Sequence, residues 1–211
     1  MRDLFDPREI ERRSFAILRG ELEARGVTLA EENRPVIERV IHTTADFDYA
    51  HTLFFTPGAV PGAVAALRRG AGVVTDTNMA LAGVSKPALR HLGGAVRCWM
   101  AEPDVAQEAK ERGLTRAAVS MERAAREKGE WIVAIGNAPT ALIRLLELWQ
   151  EGAFRPALII GAPVGFVQVE ESKRRLLESG APCIVAQGRK GGSTVAAAMV
   201  NALLYLAAGR E

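Results

Sequence analysis

WIVAIGNAPTALIRLLELWQ, residues Trp131–Gln150, is the stretch whose reading decides the fold. Its first five residues, Trp131–Ile135, are an unbroken apolar run that follows Gly129-Glu130 and ends at Gly136. The run is too short for a helix and suits a strand buried on both faces. Gly136 and Asn137 open a small polar turn, and Ala141–Gln150 then carries leucines at helical spacing. A buried strand, a glycine-bearing exit and a helix make half of a βαβ unit, which implies a parallel sheet with helices on both faces.

The same unit recurs on either side. Upstream, Gly72–Asp76 reads as a strand followed by a helix through Met79–Ala82. Val96–Met100 reads as the next strand, followed by two charged helices over Pro103–Gly113 and Thr115–Gly129. Downstream, Ala157–Ile160 precedes a helix over Glu171–Ser179, and Cys183–Ala186 precedes one over Thr194–Ala208. The expectation is one α/β domain over residues 1–211, a three-layer α/β/α arrangement of about five mainly parallel strands. Helices are also expected from Asp6-Pro7 to about Gly26, from Asn33 to His42, and over Gly58–Arg69; an Asp or Asn cap with a following Pro marks the first two. These precede the alternation and should pack across the sheet as an added layer. The apolar stretch Leu53–Val64 fits either an interface or the core.

Composition excludes several function classes. A net charge of +2 provides no global field for nucleic acid or an anionic membrane, and 6% aromatic residues argue against base-stacking platforms. Cys98 and Cys183 lie in strand-like runs and make no disulfide framework. The charged start MRDLFDPREIERRSF has no signal-peptide core, and no apolar run reaches the ~20 residues a membrane span needs. The expected setting is the cytoplasm, with no nucleic-acid or membrane partner.

The polar groups gather where strands end. The exits are TDTNMALAG (Thr75–Gly83), GNAPTAL (Gly136–Leu142), GAPVGFVQVEESK (Gly161–Lys173) and QGRKGGST (Gln187–Thr194). In an open parallel sheet such exits share the edge where ligands bind. GRKGGST suits an anion near a helix start, but it lacks the Walker spacing, and no G-x-G-x-x-G occurs. His42, His51 and His91 show no metal-ligand spacing, and there is no G-x-S-x-G elbow. Acid–base chemistry remains, and IHTTADFDY (Ile41–Tyr49) is the densest polar segment. His42 is either a proton donor or acceptor or a helix-terminal histidine satisfying the last carbonyls. Asp46 would orient it at i, i+4 if the helix continued, and Asp46 and Asp48 would share a face if the segment were extended. Thr43 and Thr44 read as helix stoppers, and Ser14 shares a helix face with Ile10, Ile17 and Leu18.

Five segments, ERVIHTTADFDY, DTNMALAGV, AIGNAPTAL, GAPVGFVQVEESK and GRKGGSTVAAAMVNALL, occur in an order and spacing that resemble the precorrin-8X methylmutase family, also called cobalt-precorrin-8 methylmutase or precorrin isomerase. The resemblance covers nearly the whole chain. It implies a flavodoxin-like fold, a homodimer and a tetrapyrrole substrate, precorrin-8X or cobalt-precorrin-8. It also implies a methyl shift from carbon 11 to carbon 12 giving hydrogenobyrinate or cobyrinate, without a cofactor or a protein-bound metal. The family's catalytic histidine falls on His42, a general acid toward the ring C nitrogen, and its first-helix serine on Ser14. Its hydroxyl-and-cation pair falls on Ser85 and Lys86, where the family's Thr-Arg becomes Ser-Lys and the bidentate fork is lost. A further arginine falls on Arg116. A substrate rich in carboxylates wants cations at its rim, for which Arg39, Lys86, Arg116, Arg189 and Lys190 are candidates. A flat macrocycle wants backbone close by, which Gly136, Asn137, Gly161, Gly165, Gly191 and Gly192 would supply. A non-catalytic corrin carrier is the alternative.

Overall fold

Six strands, β1 (Leu53–Phe55), β2 (Gly72–Thr75), β3 (Val96–Arg97), β4 (Trp131–Ile135), β5 (Leu158–Gly161) and β6 (Cys183–Ala186), form one sheet in the order β1-β6-β5-β4-β2-β3. They come from a computed structural model that describes residues 5–209; residues 1–4 of the charged N-terminal segment lie outside the described residues. All neighbouring pairs are parallel except β1 with β6, which is antiparallel. Numbered among themselves, the parallel strands run 2-1-3-4-5, the flavodoxin order.

Central strands are buried on both faces, and their residues alternate between two cores. Ile132, Ala134, Leu158, Ile160, Ile184 and Ala186 point to one core. There they meet α1 (Pro7–Ala24), α2 (Arg34–Thr44), α4 (Ala59–Arg68) and α11 (Ser193–Ala207). Trp131, Val133, Ile135, Ile159, Cys183 and Val185 point the other way. That side is covered by α7 (Pro103–Arg112), α8 (Arg116–Arg126), α9 (Pro139–Gln150) and α10 (Val169–Glu178). The result is a three-layer α/β/α fold.

Several sequence expectations change. The sheet has six strands where about five were expected. The extra one is β1, reached through the short α3 (Tyr49–Thr52); it clips onto β6 at the sheet edge. The stretch Leu53–Val64 therefore divides into an edge strand and the start of α4, whose Val60 and Ala63 enter the core. Val96–Met100 shortens to the two residues of β3, because Trp99 leaves the sheet to fill the second core. Beyond α5 (Asn78–Gly83), residues Lys86–His91 form a helix, α6, that was not anticipated. On α1, Leu18 and Leu22 are buried while Ile10 and Ile17 are exposed, so Ser14 does not sit on a uniformly buried face. Among the described residues no helix is long and apolar enough to cross a membrane.

Candidate active site

Val36, Ile37, Val40 and Ile41 bury one side of α2 in the α11 core, which leaves His42 outward on the last turn. The helix stops because Ala45 adopts a left-handed conformation (φ 55°). Thr43 and Thr44 lie inside the last turn, and their hydroxyls donate to Arg39 O and Val40 O at 2.8 Å each, while Ala45 N donates to Ile41 O. These carbonyls are satisfied without the imidazole. His42 Nδ1 instead lies 3.0 Å from Ser14 Oγ on α1, and the ring stacks on Phe15 (centroids 4.9 Å apart, planes 14°). His42 is exposed, and among the described residues Nε2 makes no hydrogen bond.

Arg39, one turn earlier, lies over the far neighbours of that stack. Its guanidinium carbon is 4.8 Å from the Phe15 ring centre and 5.0 Å from that of Tyr205, and it donates to Glu11 at 2.6 Å. Such cation–ring contacts fix a guanidinium without consuming all its donors.

Asp46 does not orient His42. The left-handed turn at Ala45 carries it away, and Lys190 Nζ binds both Asp46 Oδ2 and Asp48 Oδ2 at 2.6 Å. The lysine bond holds the Asp46 carboxyl below its usual range, and the two carboxylates push the Lys190 ammonium up. Lys190 is thus a clasp between the β6 exit and the end of the His42 helix. Gln187 N also donates to Thr52 O at 2.8 Å, tying the same exit to the end of α3.

The switch point, where strand order reverses, lies between β2 and β4. There the buried Asp76 carboxylate accepts the amides of Gly136 (2.8 Å), Asn137 (2.8 Å) and Ala138 (2.7 Å). Burial pushes its carboxyl up against the downward pull of those amides, and burial prevails. The amides that would cradle an external anion are therefore occupied, and Asn137 is held by its backbone. Sequence reading placed Asp76 only as a strand end; its position at the first strand exit was the available signal.

Several of the glycines let parts of the protein itself approach closely. A Cβ on Gly136 would come 2.7 Å from Ser193 Cα, and one on Gly161 would meet Leu176 at 2.6 Å. One on Gly191 (φ 159°) would strike the Ala162 carbonyl. The room those three residues leave is filled by the protein's own backbone at the exits and, at Gly161, by the Leu176 side chain of α10. Gly165 N donates to Arg189 O at 3.2 Å, joining the β5 and β6 exits directly, and Gly192 N donates to Ala162 O at 2.9 Å.

Ser85 and Lys86 start α6. Ser85 N donates to Asn201 Oδ1 at 2.8 Å, and Asn201 is one turn from Tyr205 on α11, which places Ser85 on the same side of that helix as the Arg39 stack. Arg116 starts α8, whose cap Thr115 bonds Thr140 at the start of α9 (2.9 Å); Arg116 itself makes only a long contact to Met100 O. Among the described residues Lys86 and Arg116 have no carboxylate partner, whereas Arg39, Arg189 and Lys190 are paired with Glu11, Glu170 and the Asp46–Asp48 pair. A surface hollow of about 350 Å³ lies under α1 and the start of α2, lined by Arg19, Leu22, Val27, Leu29 and Glu38; none of the expected site residues line it.

Lys173 was missed entirely. It sits in the charged run EESKRR, yet it is 2% exposed, and its ammonium donates to Gly188 O (2.7 Å) and Lys190 O (2.8 Å). Burial pushes it down to about 8.

Comparisons with known proteins agree with this architecture. A family model described as precorrin-8X methylmutase matches residues 9–206. The cobalt-precorrin-8 methylmutase of Priestia megaterium is 42% identical over 201 residues, covering 95% of this chain and 88% of that protein. The precorrin-8X methylmutase of Pseudomonas aeruginosa is 43% identical over 200 residues, covering 94% and 95%. A crystal structure of the Thermus thermophilus precorrin-8x methyl mutase superposes with a TM-score of 0.84 at 39% identity, covering 95% of this chain and 98% of that one. Fold, length and the family match agree, and the chain belongs to the precorrin-8X methylmutase family.

Proposed function

We propose that this chain is an isomerase of cobalamin biosynthesis. It moves a methyl group from carbon 11 to carbon 12 of precorrin-8X or cobalt-precorrin-8, giving hydrogenobyrinate or cobyrinate. The observation that carries the assignment of roles is His42, with Nδ1 tied to Ser14 and Nε2 open to the outside. In the imidazolium both nitrogens are donors: Nδ1–H donates to Ser14 Oγ, and Nε2–H is the proton offered to the ring C nitrogen. Protonation there draws electron density from carbon 11, so the methyl bond to carbon 11 breaks as the bond to carbon 12 forms. The proton then returns, and the formula is unchanged. Positioning and one proton transfer suffice for such a unimolecular step.

Lys86 and Arg116 are the cations free to meet substrate carboxylates, and Arg39 would exchange Glu11 for one, while Lys190 lines the same exit with its charge held by Asp46 and Asp48. Ser85, Gly136, Asn137, Gly165 and Gly191 shape the same side as exits or neighbours of exits. The chain acts as one domain over residues 1–211, in the cytoplasm, as a homodimer. The β5 exit supports the last point, since Phe166 and Val167 are each 81% exposed, an apolar pair suited to cover by a second copy.

His42→Ala should lower kcat by about 10²–10⁴-fold, the usual worth of a positioned proton donor, while the tetrapyrrole still binds. Turnover of the yellow precursor to the orange corrin at near wild-type rate by that variant would reject the assignment. A carrier would leave the absorption spectrum unchanged with wild-type protein. Parallel rates with and without cobalt in the substrate would identify the natural form.

A further inference from the structure

We propose that Lys173 is a positioning residue that sets the location of His42 from the opposite side of the domain, through the β6 exit and the Lys190 clasp. This rests on the reading of His42 as proton donor. Lysine is almost never fully buried unless paired with an acid. Among the described residues the ammonium has two backbone carbonyls and no carboxylate within bonding distance; Glu170, the acid that acts on it from farther off, is bonded to Arg189. A fold needing only bulk at this point would be served better by an apolar side chain, because a buried charge is costly.

The geometry shows what the charge does instead. Gly188 O and Lys190 O lie two residues apart, and both point at Nζ, so the exit curls around the ammonium. Lys173 thereby fixes the backbone of Lys190. The Lys190 side chain leaves in the other direction and grips Asp46 and Asp48, the residues that follow the His42 helix. Gly192 N on Ala162 O and Gly165 N on Arg189 O anchor the same exit from the β5 side. The line from Lys173 through Lys190 to Asp46 is thus a chain of short polar contacts ending four residues from His42. α10, which carries Lys173, is seated in the second core through Leu176, so its position is fixed independently of α2.

Misplacing a reacting group by about 1 Å can lower a rate by about 10²-fold, so a loosened exit should act on kcat. The test uses Lys173→Met and the pair Asp46→Asn with Asp48→Asn, singly and combined, in the full chain. Steady-state kinetics, thermal melting and the His42 Cε1–H proton resonance are read on each. The expected result is a kcat about 10-fold lower for each, KM within about threefold, and a combined variant no worse than the worse parent, because both cut one line of contact. The His42 resonance should shift alike in both.

Losses that multiply, or a kcat equal to wild type, overturn the proposal. So does an unmoved His42 resonance. If Lys173→Met does not fold, the Asp46–Asp48 variant decides alone: unchanged kcat and resonance reject the clasp. If His42→Ala keeps full turnover, the proton-donor reading fails, and the resonance still judges whether Lys173 positions the ring.

Discussion

Replacing Asp76 with asparagine tests whether the switch point is held by charge. The carboxylate takes three amides on two oxygens: Gly136 on Oδ1, and Asn137 and Ala138 on Oδ2. An asparagine must turn its NH₂ toward one of these groups. The cheaper orientation faces Gly136 and keeps the other two bonds, leaving one buried amide unsatisfied, which costs about 1–3 kcal/mol. The two retained bonds lose the assistance of charge, about 1 kcal/mol each from the difference between charged and neutral hydrogen bonds. Relief from burying a carboxylate offsets part of this, since burial already pushes the Asp76 carboxyl up. The net expectation is about 2–3 kcal/mol, a fall in Tm of about 4–12 °C for a chain of this length. Urea unfolding with fluorescence detection should show a lower midpoint at unchanged slope. A variant within about 0.5 kcal/mol of wild type, the usual range for a surface change, would refute the role given to the charge.

Three further outcomes are expected. Ser14→Ala removes one half-exposed hydrogen bond worth about 1 kcal/mol, so kcat should fall about fivefold with little change in Tm, read by turnover and melting. Burial pushes Lys173 down to about 8 from the usual lysine value of 10.5, so between those pH values the unfolded chain holds a proton the folded chain lacks; stability relative to Lys173→Met should therefore rise by about 2 kcal/mol from pH 7.5 to 10, measured by urea titration. Gly136→Ala forces a methyl group against the Ser193 backbone; a loss of about 1–3 kcal/mol with reduced activity is expected, and a neutral effect would show that α11 can shift.

The strands Trp131–Ile135 and Cys183–Ala186 are legible residue for residue, because burial on both faces leaves an unbroken apolar run. Leu53–Phe55 is not legible: its three residues show no alternation, and they become a strand only by pairing with the distant β6. His42 was a candidate from its own polar segment, while its assignment as general acid and the role of Ser14 came from the family resemblance; the 3.0 Å contact explains why they belong together, and no spacing rule predicts a bond between two helices. Whether Asp46 could reach His42 depended on the helix continuing, and one left-handed residue, Ala45, ends it and redirects the chain. Lys173 was invisible because a lysine among charged neighbours reads as solvated, and only the packing of α10 against the β6 exit buries it. Close approach was foreseen at the glycines, and at Gly136, Gly161 and Gly191 part of that approach is by the protein itself.

The antiparallel grip of β1 on β6 imposes an order on biosynthesis. Residues 34–55, with His42 among them, leave the ribosome before any parallel strand exists. Both surfaces that receive them, β6 and α11, are the last elements made. A nascent chain halted before Cys183 can pair β2 through β5 but has no seat for this arm, whose Val36, Ile37, Val40 and Ile41 then stay unburied. On the proton-donor reading, His42 is therefore seated only at the close of folding, and an incomplete chain carries an unseated apolar helix.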